Sequence, residues 1–123
     1  MSIVSSFIFS FTRRFRWAYI IYIMLTSVLS LGQLVATSSI HSLMSSDLSF
    51  HTFIYTSLMR HEEGDWGDVC AADRESNERA LTSGRRIFSV YECGPLHQEY
   101  GRKIYIITEA DRSVTTVLWP WEY

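Results

Sequence analysis

The chain lacks the features that mark most recognisable chemistries. It has only two cysteines in 123 residues, Cys70 and Cys93. No C-x-x-C pair and no histidine spacing completes a zinc site, so neither a disulfide framework nor structural zinc organises the fold. In a reducing compartment both thiols are expected as small core or edge residues; in an exported protein a single Cys70–Cys93 bridge is the alternative. There is no G-x-S-x-G, Walker A, H-E-x-x-H or G-x-G-x-x-G motif, and the length leaves no room for a methyltransferase or nucleotide-binding fold. Neither a cofactor nor a metal is expected.

Charge is also missing over a long stretch. From Trp17 to Ser46 there is no Asp, Glu, Lys or Arg. Trp17 to Ala36 is about the length needed to cross a bilayer, follows Arg13, Arg14 and Arg16, and carries Trp17, Tyr19 and Tyr22 near that flank. Two expectations follow for residues 1–35. One is an upstream extension of a cytoplasmic protein whose own start is Met24. The other is a signal-anchor helix, Trp17 to Ala36, that makes a single-pass membrane protein with an extracytoplasmic domain. A cleaved signal peptide fits less well, because the basic region lies far from the terminus. Membrane contact is expected only if this segment belongs to the protein.

What is present divides into unlike halves. Residues 1–60 carry four arginines against Asp47 alone, a net of +3; residues 61–123 carry seven basic and twelve acidic side chains, a net of −5. An acidic domain without a basic stripe is a poor direct binder of nucleic acid, which needs clustered Lys and Arg to displace counterions. Residues 36–123 suffice for one small domain.

Periodicity gives that domain an α+β class. A short helix is expected from Thr37 or Ser38, with Ile40, Leu43 and Met44 on one stripe. A second starts near Ser49, presents Phe50, Phe53, Ile54 and Leu58, places Arg60 and His61 in its last turn, and stops at Gly64. A third runs from Val69 to Thr82, capped by Asp68 and ended by Ser83-Gly84. Arg86–Glu92, Arg102–Glu109 and Ser113–Trp119 alternate as strands. Cys93–Gly101 is then a hairpin loop, and Glu109-Ala110-Asp111-Arg112 a charged corner. The expected architecture is a three-stranded antiparallel meander covered by two to three helices and preceded by the apolar N-terminal segment.

Polar candidates lie at unusual places. In Gly64-Asp65-Trp66-Gly67-Asp68 two glycines bracket a tryptophan, which marks a specific tight loop. Trp66 is expected at the core edge with its indole N–H on a carbonyl, and Asp65 beside it. Asp73 and Asn77 share a helix stripe with Cys70 and Leu81, where apolar residues belong, so they require partners; Arg112 or loop amides are the obvious candidates. The corner gathers Glu109, Asp111 and Arg112 with Thr108, Ser113, Thr115 and Thr116. An Asp/Glu/Arg cluster of Asp73, Glu109 and Asp111 gives a second hypothesis, a small hydrolase or metal-dependent enzyme; the plainer reading is a turn closed by Asp111. Neither His61, Glu62, Glu63 and Asp65 nor His97 and Glu99 make more than a solvated cluster.

Three stretches together carry a resemblance: LGQLVAT (Leu31 to Thr37), RHEEGDWGDVCAADRESNERAL (Arg60 to Leu81) and IITEADRSVTTVLWPWEY (Ile106 to Tyr123). They resemble a family of small bacterial proteins of plasmids and other mobile elements, commonly labelled "plasmid-related protein" and sometimes "type I restriction endonuclease subunit M". The similarity spans Leu31 to Tyr123; it departs from the family at Ala71-Ala72-Asp73 and at Trp121. It implies a cytoplasmic accessory protein of mobile DNA and no particular mechanism; the expectation set beside it is a protein-binding module acting on a host defence or DNA-processing complex, rather than an enzyme. It also implies a start near Met24. The restriction label finds no supporting motif in this chain.

Overall fold

A computed structural model describes residues 3–6, 27–95 and 97–123. The first half of the expected membrane-spanning segment, residues 17–26, lies outside them. Within them the elements run β1 (Ile3–Ser6), β2 (Gln33–Thr37), α1 (Ser38–Ser46), α2 (Leu48–Glu62), α3 (Ala71–Ser83), β3 (Ile87–Glu92), β4 (Lys103–Thr108) and β5 (Val114–Leu118), then a 3-10 turn, Pro120–Glu122. The class is α+β, as expected.

All three helices form where the periodicity puts them, and single residues set their ends. Asp47 separates α1 from α2: its N–H donates to Leu43 O, and its Oδ1 accepts from the N–H groups of Ser49 and Phe50 at 2.9 and 3.1 Å. These bonds hold its carboxyl below the usual range, the Phe50 amide contributing most. Gly84 ends α3 in the left-handed region, φ 71°, with its N–H on Ala80 O. The start of α3 differs from expectation. Its N-cap is Cys70, and Asp68 turns its carboxylate to the sheet instead.

The sheet order is β1-β2-β5-β4-β3. The expected meander of β3, β4 and β5 is present, with Val90 opposite Tyr105 and Ile106 opposite Val117. The correction is β2, which lies parallel to β5 with Leu34 opposite Thr115. Residues 33–35, expected in the leader, therefore belong to the sheet, and Leu29 is already buried before them. A parallel pair carries no hairpin signal, and five uncharged residues at the end of an apolar run look like more of that run. The last residues of the Trp17 to Ala36 span are thus strand and loop, and no helix among the described residues is long and apolar enough to cross a membrane.

Helices α1 and α2 lay Ile40, Met44, Phe50, Ile54 and Leu58 against one face of the sheet, over Tyr91, Ile104, Ile106 and Val117. A second cluster joins Trp66, Val69 and Ala80 to Ile87 and Val90, which fixes α3 beside β3. The β3–β4 loop tucks in as well: His97, expected in solvent, is buried with its ring 5.4 Å from that of Phe50. Cys93 is buried and Cys70 exposed, both as free thiols.

Two glycines with similar φ separate strain from crowding. A Cβ on Gly67 (φ 70°) would collide with Val90 O and lie 2.7 Å from Tyr91 Cδ1, whereas one on Gly84 (φ 71°) meets nothing within 4 Å. Gly84→Ala is therefore expected to cost about 1 kcal/mol. Gly67→Ala should cost about 3 kcal/mol or more, because backbone must also move. Urea denaturation of the two variants checks the ordering; equal losses would contradict this account of the loop.

Candidate functional site

The sequence candidates divide into those that close the sheet and those that stand free. β3 is an edge strand, so the N–H and C=O groups of Phe88, Val90 and Glu92 point away from β4. An open edge of this kind invites pairing with other chains. Asn77 answers Phe88 on both sides, accepting its N–H at Oδ1 (3.1 Å) and donating from Nδ2 to its carbonyl (2.6 Å). Trp66 O accepts from Val90 N–H at 3.2 Å, and Asp68 N–H donates to Val90 O at 2.7 Å. The Asp68 carboxylate takes the Glu92 N–H at 2.9 Å. A side-chain amide, a carboxylate and a three-residue loop thus replace the missing neighbour strand.

The loop is held for that task. Trp66 is fully buried, and its indole donates to Glu78 Oε1 on α3 at 2.7 Å, a carboxylate where a carbonyl was expected. Asp65 receives Arg60 Nε at 2.7 Å and Nη2 at 3.2 Å and accepts the Gly67 N–H. The Arg60 bond leads the causes that hold its carboxyl below the ordinary range. Its backbone carbonyl takes the Tyr91 hydroxyl at 2.7 Å. Asp65 and Trp66 are side by side, as expected, and both are bonded within the fold.

Arg112 does not meet Asp73. Its Nη1 donates to Arg85 O (2.6 Å) and Glu109 O (3.2 Å), and its Nη2 to Ala80 O (2.9 Å), so one guanidinium ties the end of α3 and the entry to β3 onto the β4–β5 corner. A cation on the last carbonyls of a helix is favoured by the helix dipole. Asp111 accepts the Ser113 N–H and hydroxyl at 3.0 and 2.6 Å, which closes the turn and lowers its pKa, the hydroxyl first. Glu109 contributes its backbone, while its side chain is exposed. Asp73 is exposed, not inward-facing as its stripe suggested, because α3 turns only Asn77 and Ala80 fully inward. Among the described residues no hydrogen bond or ion pair joins Asp73 to Glu109, Asp111 or Arg112, and no group of three His, Cys, Asp or Glu could hold a metal ion.

The polar centre that sequence reading missed is His61. Its ring is fully buried, with Nδ1 2.6 Å from Ser89 Oγ and Nε2 2.8 Å from Thr108 Oγ1. Thr108 Oγ1 lies 2.7 Å from Thr115 Oγ1, which donates to Leu31 O at 2.7 Å. That last bond orients the whole chain. Thr115 spends its one proton on Leu31, so Thr108 donates to Thr115, His61 Nε2–H donates to Thr108, and Ser89 donates to Nδ1. The imidazole is neutral and protonated at Nε2. Burial, helped by the Arg112 charge, pushes its pKa down to about 3. A Ser–His contact of this length can activate a nucleophile, but Ser89 and His61 are both fully buried, and neither lines the groove beside Tyr123 or the one beside Leu48 and Phe53. The detectable signal was Ser89, Thr108 and Thr115 at inward-facing strand positions.

The free surface is aromatic. Glu122 accepts from Thr37 and Ser39 hydroxyls at 2.7 Å each and from Trp119 N–H at 3.0 Å, which pins the C-terminal turn to the start of α1. Trp121 stacks on Trp119 at 5.0 Å and 7°, yet remains 68% exposed; Tyr123 is 65% exposed. Arg86 lies over the Tyr123 ring at 5.5 Å and donates to its hydroxyl at 2.6 Å. Tyr123 also borders an open groove of about 360 Å³, whose lining includes Asp73, Asn77, Arg86, Phe88 and Tyr105. No protein-family model, curated protein or solved structure matches this chain.

Two outcomes follow from these placements. Asn77→Ala strands two main-chain groups of Phe88 and should cost about 2–4 kcal/mol, against less than about 0.5 kcal/mol for Asp73→Ala; urea melts compare them. The second concerns pH. Between pH 6.5 and about 3 an unfolded chain protonates residue 61 and the folded chain does not. Stability should therefore fall as pH drops through that window, by up to about 1.4 kcal/mol per unit. Measured between pH 6.5 and 5, above most carboxylate titration, the slope should be shallower in His61→Gln; an unchanged slope would contradict the buried neutral imidazole.

Proposed function

We infer that this protein is a protein-binding module whose contact surface is the aromatic face formed by Trp121, Tyr123 and the neighbouring groove. One contrast carries the reading. The polar groups suited to chemistry are bonded into the fold or stand apart, while two large aromatics stay exposed, Trp121 stacked on Trp119 and Tyr123 held by Arg86. Preordered Trp and Tyr lose little entropy on binding and are frequent binding hot spots. The free Asp73 carboxylate at the groove, and the acidic balance of residues 61–123, suit a partner with a basic surface.

The family resemblance supplies a setting for this reading: an accessory factor of a bacterial mobile element, working in the cytoplasm on a host defence or DNA-processing complex. The hydrolase alternative has less support, since it needs Asp73, Glu109 and Asp111 to converge.

Trp121→Ser with Tyr123→Ala is expected to leave stability within about 1 kcal/mol and to abolish recovery of a stoichiometric partner from the native host by affinity capture. Undiminished recovery would move the contact surface elsewhere. A wild-type chain that captures nothing under the same conditions would contradict the binding-module reading itself.

A further inference from the structure

Helices α1 and α2 present an outer surface unlike that of α3. α3 carries Asp73, Arg74, Glu75, Glu78 and Arg79, whereas no Asp, Glu, Lys or Arg occurs in Ser38–Ser46 or from Leu48 to Met59. The hydroxyls of that surface spend their protons within the fold. Ser45 donates to His41 O at 3.0 Å, Ser46 to Leu43 O at 3.3 Å, Thr52 to Leu48 O at 3.0 Å and Ser49 to Asp47 Oδ1 at 2.9 Å. Covering these four side chains strands no donor, which removes much of the usual cost of burying polar groups.

The same surface holds an apolar groove of about 680 Å³ along α2, lined by Leu48, Ser49, Thr52, Phe53, Thr56 and His97. Leu48, at the start of the helix, is 80% exposed. His97 is 5% exposed, and its Nδ1, 4.0 Å from Asp47 Oδ2, is the one buried side-chain nitrogen or oxygen without a hydrogen-bond partner among the described residues. An exposed leucine, an open apolar groove and an unpaired imidazole nitrogen therefore meet in one place. Charge selects what covers them. Residues 61–123 carry seven basic and twelve acidic side chains, a net of −5, so two copies repel wherever those surfaces meet. In a two-fold contact a patch faces itself, and a patch without charge matches itself with no like-charge pair. Shape agrees with charge. With two α2 helices antiparallel and Thr52 on the axis, Leu48 of one copy lies across from Thr56 of the other, so one contact covers both grooves.

We propose that the α2 groove is the two-fold contact of a homodimer, in which Leu48 of each copy closes the groove of the other. The groove shares no lining residue with the one beside Tyr123, and the dimer does not depend on the aromatic face.

Sedimentation equilibrium of the full chain is expected to show monomer and dimer, with a dissociation constant that rises at least tenfold in Leu48→Glu and stays unchanged in Glu75→Gln on α3. An acid in the first turn of α2 suits the helix dipole, so Leu48→Glu keeps the fold. A second measurement places the contact. Packed helices with axes about 8–10 Å apart and Cα radii of about 2.3 Å bring facing Cα atoms into disulfide range. In a Cys70→Ser background, Thr52→Cys should form a disulfide-linked dimer on mild oxidation, and Ser76→Cys on α3 should not. A monomer throughout the accessible concentration range leaves the groove to a different protein and overturns the proposal. So does a dimer indifferent to Leu48→Glu, one weakened as much by Glu75→Gln, or crosslinking at residue 76 in preference to residue 52.

Discussion

A single buried imidazole joins the parts of this fold. His61 sits at the end of α2, Ser89 on β3, Thr108 on β4 and Thr115 on β5, and the last hydroxyl reaches back to Leu31 before β2. Every member donates once along the chain, so no polar atom in it is left unpaired in a place that water does not reach. An unsatisfied buried group costs about 1–3 kcal/mol, so losing one member penalises the next as well as itself. The imidazole is the only piece of that chain with an acceptor and a donor on opposite sides of a rigid ring, which is what bridging two adjacent strands from one helix requires.

Around that junction the remaining polar residues act as braces. Arg112, itself at φ 61°, binds the carbonyls of Ala80 and Arg85 and sends a positive field toward His61 that helps keep the ring neutral. Gly32 lets the incoming strand pass against the backbone of Arg112 and Ser113, where any Cβ would overlap. Asn77 and the Asp65–Asp68 loop seal β3. The stretches LGQLVAT, the GDWGD region with its helix, and ITEADRS-x-TT therefore meet at the framework of the molecule.

The helices and the meander were legible because their signals are local: Phe50, Ile54 and Leu58 repeat at helical spacing, and Ile104 and Ile106 alternate. β2 was not, because its partner is distant in the chain and its five residues look like the end of an apolar run. The GDWGD glycines marked a specific loop correctly, but nothing local distinguished Asp68 as a helix cap from Asp68 as a strand cap. Helix spacing and charge point from Asp73 to Arg112, but main-chain carbonyls, invisible to a charge count, take the guanidinium instead. In the sequence His61 is a side chain favourable at a helix C-terminus. Its true setting depends on three hydroxyls from three strands, a convergence that only the folded sheet creates.

The most direct test of this account is a long-range nitrogen–proton NMR correlation on the His61 ring, followed from pH 7.5 to 4.5. A ring protonated at Nε2 alone, with nitrogen shifts that stay constant across the range, is the predicted result. A ring protonated at Nδ1, or one that titrates near 6.5 like a histidine in water, would contradict the oriented hydroxyl chain and the central place given to it here.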